Sequence, residues 1–166
     1  MTTQPAAEAA GVVDVVPAGM DEDLVRVGRM FLRLARGAAG ATLPVEPQVT
    51  VLLGGEQATV LTSTQADDRA SWEQLCDSSG KGYAERSCPV SALAALADSE
   101  GVTFSTEPAQ EPCSGPHGLE PGDVGGTKRV TLLARPHGSC LDYAAVELYL
   151  NDVSQLVAAN LVLGSP

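Results

Sequence analysis

The sequence predicts one α+β domain: a curved antiparallel sheet of about five or six strands, with an N-terminal helix and two short helices packed on it. Three observations predict it. A helical pattern near the start, several short strand-like stretches and an alternating C-terminal segment follow one another in a chain of 166 residues. That length suits one domain, which we place at residues 21–166. Residues 1–20 are expected to be a flexible leader, or what remains after a signal segment is removed.

The first element is a helix over residues 22–36. Its apolar residues recur at helical spacing, at Leu24, Val27, Phe31 and Leu34. Acidic residues precede this pattern and Gly37 follows it, as helix termini favour. A second set at the same spacing forms an arginine stripe, a candidate partner contact made of Arg26, Arg29, Arg33 and Arg36. The stripe would dock an acidic partner or an anionic wall polymer, or else pair with the chain's own carboxylates or stay solvated.

The middle of the chain predicts short elements. Residues 49–53 and 57–62 are strand-like and flank a Gly-Gly turn, which indicates a hairpin. Two helices and a strand follow, over residues 64–75, 89–97 and 102–106. Residues 107–127 hold four prolines and five glycines, which predicts a long loop.

The strongest strand pattern lies at the C-terminus. A strand over residues 129–134 precedes a β-hairpin with arms at 143–150 and 155–163. In the first arm, Val146, Leu148 and Leu150 alternate with a more polar set that includes Glu147. The apolar set is expected to face the core and Glu147 to face water. The alternative is a pocket on a concave sheet that either binds a small ligand or catalyses a reaction, in which Glu147, between Tyr143 and Tyr149, would act as a general base.

Four cysteines predict two disulfides, Cys76–Cys88 and Cys113–Cys140, because each neighbouring pair brackets an irregular stretch rich in Gly, Ser or Pro. Disulfides persist outside the cytosol, so an extracellular or cell-envelope location is expected, with a cytoplasmic protein of four reduced thiols as the alternative. A zinc site from Cys113, His117, His137 and Cys140 is the competing interpretation. We expect neither a metal nor another cofactor.

Charge and composition exclude several classes of function. A net charge of -11 repels nucleic acid and anionic lipid, and 4% aromatic residues leave few platforms for stacking bases. No apolar run reaches the length of a membrane span. The expected partner is an unknown protein or another cell-envelope component.

The sequence contains no recognisable catalytic motif. His137, Ser139 and Asp142 match the residue types of a nucleophilic triad, but they crowd into six positions where convergent geometry is needed. A Gly-x-Ser-x-Gly turn and a phosphate-binding glycine loop are both missing from the sequence. The sequence therefore favours a non-catalytic binding or interaction domain over an enzyme.

Five segments carry a resemblance to known sequences. They read FLRLARG, DDRASW, YAERSCPVSAL, TFSTEP and VELYLNDVSQLVAANLVLGSP, at 31–37, 67–72, 83–93, 103–108 and 146–166. They resemble a family of uncharacterised actinobacterial secreted proteins and lipoproteins. The resemblance implies an extracytoplasmic location and no particular activity. The chain departs from that family in having no lipobox or signal sequence.

Overall fold

The computed structural model describes residues 13–76, 88–111, 115–116, 118–135, 140 and 142–164. It contains a six-stranded sheet flanked by helices, so the predicted α+β class is confirmed. The helices are α1 Glu22–Ala35, α2 Ser63–Ala66, α3 Arg69–Trp72 and α4 Ala94–Ala97, with a 3-10 helix at Pro121–Val124. The strands are β1 Val45–Leu53, β2 Glu56–Thr62, β3 Gly101–Ser105, β4 Gln110–Glu111, β5 Gly115–Pro116, β6 Lys128–Arg135, β7 Ala144–Leu150 and β8 Leu156–Leu163.

The sheet is mixed, and the prediction of a purely antiparallel sheet was wrong. Its strand order is β2-β1-β8-β7-β6-β3, and β1 and β8 run parallel. Because these two strands are far apart in the chain, their connection is long enough for a parallel pair, and local patterns carry no information about that direction. The predicted C-terminal hairpin is confirmed: β7 and β8 pair antiparallel, with Glu147 opposite Asn160.

Helix α1 packs on one face of the sheet, called here the helix face. The apolar residues of α1 join those of β6, β7 and β8 in one core, in which Phe31 and Leu148 are fully buried. Gly28 allows this close approach, because a Cβ atom there would lie 2.6 Å from Phe104 Cε2.

The short helices are shorter than predicted. The pattern over 64–75 forms α2 and α3 separately, because Thr62 caps the first and Asp68 caps the second. Only Ala94–Ala97 of the segment 89–97 is helical. The described part of the chain therefore places three one-turn helices beside α1, where two longer ones were expected.

The opposite face of the sheet, called here the second face, is covered by the described residues of 106–126, the cover segment. Ala109 packs against β7 and β8 residues on this side, and Leu119 and Val124 pack near Tyr149 and Val157. The predicted long loop thus includes two-residue strands and a 3-10 helix.

Residues 13–16 add an extended segment beside β3. Val15 bridges Thr103 in parallel, and the Asp14 carboxylate accepts hydrogen bonds from the Val102 amide at 2.9 Å and from Arg36 at 2.8 Å. The predicted leader therefore joins the domain from residue 13 onward. No helix in the described part of the chain is long and apolar enough to cross a membrane.

Candidate functional site at the disulfide end of the sheet

A cleft of about 590 Å³ opens between the segment that carries α4 and the adjoining ends of β6, β7 and β8. It is larger than two other surface grooves, beside α1 and beside β1, of about 470 and 420 Å³. Its volume falls within the range of roughly 300–1,000 Å³ that is typical of small-molecule sites. Size and position make the cleft the candidate binding site.

Small apolar side chains and a charged rim line the cleft. Ala95, Ala134, Ala144 and Leu163 are among its apolar residues. Its charged residues are Asp98, Glu100, Arg135 and Asp142, three carboxylates against one guanidinium. Polar and apolar residues line the cleft in similar numbers, so a small molecule bound there would be oriented by its polar groups.

Two serine hydroxyls in the lining hold the backbone in place. The Ser91 hydroxyl accepts hydrogen bonds from the amides of Leu93 and Ala94, at 3.1 and 3.0 Å, which fixes the start of α4. The Ser99 hydroxyl donates to the Leu96 carbonyl at 2.8 Å, just after α4 ends. These two groups therefore shape the wall of the cleft.

Disulfide-bonded cysteines lie at the same end of the molecule as the cleft. Cys76 and Cys88 are bonded, with a Cα–Cα distance of 5.2 Å, so this predicted bridge is confirmed. Cys88 directly precedes Pro89, the first lining residue. Cys140 is also disulfide-bonded, and it lies two residues before Asp142. Its predicted partner, Cys113, lies outside the described residues.

Glu147 lies on the second face, beneath the cover segment, and is fully buried. Among the described residues, its carboxylate accepts hydrogen bonds from the Ala109 amide at 2.7 Å, the Tyr149 hydroxyl at 2.7 Å and the Asn160 side-chain amide at 2.9 Å. A buried carboxylate needs such donors because it has lost its water. Glu147 therefore neither faces solvent nor lines the cleft, and it ties the cover segment to the sheet.

The two tyrosines that flank Glu147 have different surroundings. Tyr149 is buried, and burial raises its pKa well above the ordinary value, with a further rise from the hydrogen bond to Glu147. It stays a hydrogen-bond donor at neutral pH. The Tyr143 hydroxyl accepts a hydrogen bond from the Gln110 amide at 2.9 Å, and the same residue also lines the cleft. Tyr143 thus links the cover segment to the cleft wall.

The arginine stripe divides into two kinds of residue. Arg26 pairs with Asp23 at 2.7 Å, and Arg36 pairs with Asp14 at 2.8 Å. Arg29 and Arg33 are exposed, and neither makes an ion pair or side-chain hydrogen bond with any described residue.

The remaining sequence candidates lie largely outside the described residues. They include His117, His137 and Ser139, so the zinc and triad alternatives are not located by the structure. Among the described residues, no group of three or more His, Cys, Asp or Glu side chains is arranged to hold a metal ion.

No family model, curated protein or solved structure matches this chain. The actinobacterial resemblance therefore stays a prediction.

Sequence reasoning missed most of the cleft. Asp98, Glu100 and Arg135 were not singled out, because they form no motif: Asp98 and Glu100 lie in the connection between α4 and β3, and Arg135 is the last residue of β6. The β3–β6 pairing, with Gly101 opposite Arg135, brings Arg135 to the same cleft as the two carboxylates.

Proposed function

We propose that this protein is an extracytoplasmic, disulfide-stabilised binding domain without catalytic activity, which binds a small ligand in the cleft beside α4. The observation that carries the proposal is the cleft itself, about 590 Å³, lined by apolar and charged residues together. Clefts of this size and character are the ordinary sites of ligand binding.

The disulfides support the extracytoplasmic part of the proposal. The bridge at Cys76–Cys88 adjoins the cleft, and bonds of this kind persist in oxidising compartments. Intact-mass measurement of the protein from its native source, alkylated before and after reduction, tests this part. Four alkyl groups added only after reduction would agree with it, and labelling before reduction would contradict it.

A fragment screen tests the binding site. The oxidised protein is screened against a small-molecule library by thermal shift, and hits are mapped by NMR. Ala94 is exposed and lines the cleft, so Ala94→Trp should fill the cleft without disturbing the core. We expect hits that raise Tm for the wild type and not for this variant.

Ala38→Trp is the matched control, because Ala38 is exposed and is not part of the cleft lining. It should keep every hit. The proposal fails if the library gives no hit, or if hits bind the Ala94→Trp variant as well as the wild type.

The enzymatic alternative, a pocket in a curved sheet using Glu147, requires the second face to open. The carboxylate is fully buried and accepts hydrogen bonds from Ala109, Tyr149 and Asn160, so it has no access to a substrate while the cover segment is in place. The geometry favours the cleft for this reason. The curvature of the sheet stays a prediction.

A further inference from the structure

We propose that the outward face of α1 docks an acidic peptide segment of a protein partner, through Arg29 and Arg33. This surface, the arginine groove, has a volume of about 470 Å³ and is lined by Glu22, Val25, Arg26, Arg29, Met30 and Arg33. It is separate from the proposed ligand site, whose lining includes no α1 residue.

The groove exposes two guanidinium groups, those of Arg29 and Arg33. The described cations elsewhere are engaged: Arg36 with Asp14, Arg69 with the Ala35 carbonyl, Lys128 with Ser154 and Arg129 with the Thr106 carbonyl. Arg29 and Arg33 have no such partner among the described residues. Each presents a planar fork that matches the geometry of a carboxylate and can bind it through two hydrogen bonds.

Arg29 and Arg33 are four residues apart on α1. Residues four positions apart lie on one face and are separated by about 6 Å along the axis. A partner segment with carboxylates at the same spacing would therefore meet Arg29 and Arg33 together. Glu22 would repel a carboxylate at the N-terminal end of the groove, so the match is confined to the part near Arg26, Arg29 and Arg33.

The apolar residues of the arginine groove favour a peptide over a uniform polyanion as the binding partner. Val25 and Met30 are half-buried and flank the arginines in the groove. Aliphatic side chains of a peptide would cover them, whereas a phosphate polymer offers nothing apolar to do so.

The net charge of the chain also favours a short acidic peptide over an extended polyanion. The whole chain carries -11, which repels an extended polyanion along its length. At physiological ionic strength this repulsion is screened over about 8 Å, so a short acidic segment in direct contact with the arginines is attracted locally.

Labelled peptides test the proposal. A set of helical peptides carries Glu at positions spaced three or four apart with Leu or Met between them, and fluorescence anisotropy gives Kd for each. We expect salt-sensitive binding by members of this set and at least about tenfold weaker binding by the double variant R29Q/R33Q. Matched peptides with Gln in place of Glu should not bind.

Two further comparisons test whether the arginine forks, and not positive charge alone, bind the peptide. The double variant R29K/R33K keeps both charges but loses the forks, so it should bind more weakly than the wild type and more tightly than R29Q/R33Q. Inorganic polyphosphate should compete poorly. The proposal is overturned if no peptide in the set binds, if R29Q/R33Q binds as well as the wild type, or if polyphosphate binds this groove more tightly. Cleft hits should survive in both double variants, so failure here is distinguishable from failure of the proposed function.

Discussion

The two faces of the sheet are buried by different means. On the helix face, the core is built almost entirely from apolar side chains, and the rings of Phe31 and Trp72 meet edge to face at 5.1 Å. The Trp72 indole N–H donates to the Ala66 carbonyl at 2.8 Å. On the second face, Glu147 and Asn160 are fully buried and Thr131 is nearly so, and each forms a side-chain hydrogen bond.

The difference shows how an irregular segment gains a fixed position. Apolar contacts have no direction, so they hold a regular helix whose own backbone is already satisfied. Backbone groups of the cover segment need partners from outside it, and Glu147, Thr131 and Arg129 supply them. Arg129 donates to the carbonyls of Thr106 and Leu119, which lie in the first and last described parts of that segment.

The largest expected effect belongs to the helix face. Phe31→Ala should lower the free energy of unfolding by about 3–5 kcal/mol, because it leaves a cavity beside Trp72 in the core. Urea denaturation measures this change. Val25→Ala, at a half-buried position on the same helix, should cost much less. A loss below about 1 kcal/mol for Phe31→Ala would show that this face is not the main source of stability.

A smaller loss is expected from the second face. Glu147→Gln keeps the shape of the side chain but removes one of the two acceptor oxygens, so about 2 kcal/mol of stability should be lost. The same denaturation experiment applies. Glu107→Gln is the matched control, since that side chain is exposed in the same cover segment and its loss should stay within about 0.5 kcal/mol. Equal effects from the two variants would refute the special role of Glu147.

The same contrast explains what the sequence predicted. Periodicity identified α1 and the β7–β8 hairpin, because one side of each is apolar and the period reveals which side. It placed Glu147 in water, since alternation records polarity and not whether another segment covers the polar side. The parallel β1–β8 pair and the cleft depend on contacts between distant parts of the chain, which no local pattern contains.

Gly28 tests how tightly the helix face is packed. On helix propensity alone, Gly28→Ala would stabilise the protein by up to about 1 kcal/mol. In the fold, the added methyl group would meet Phe104 and Leu132, and overpacking of this kind costs about 1–3 kcal/mol. We expect a net loss of about 1 kcal/mol in thermal unfolding. A gain in Tm would mean that α1 lies further from the sheet.

Asp14 is a partly exposed counterpart of Glu147, and its removal should have the smallest effect. The hydrogen bond from Arg36 lowers the pKa of Asp14, so its contribution exists above pH ~4 and is lost as the pH falls through the folded-state value. Asp14→Asn should therefore cost about 0.5 kcal/mol at pH 7, and the difference from the wild type should shrink at lower pH. A difference that is independent of pH would contradict this assignment.

Hydrogen exchange at the Ala109 amide is the most direct test of how the second face is closed. This amide donates to the buried Glu147 carboxylate at 2.7 Å, and its exchange reports whether the cover segment is in place. We predict strong protection in the wild type and at least about tenfold faster exchange in Glu147→Gln, with amides in β7 changing less. Exchange of the Ala109 amide at the rate of an unstructured peptide in the wild type would contradict the account and would open Glu147 to solvent and substrate.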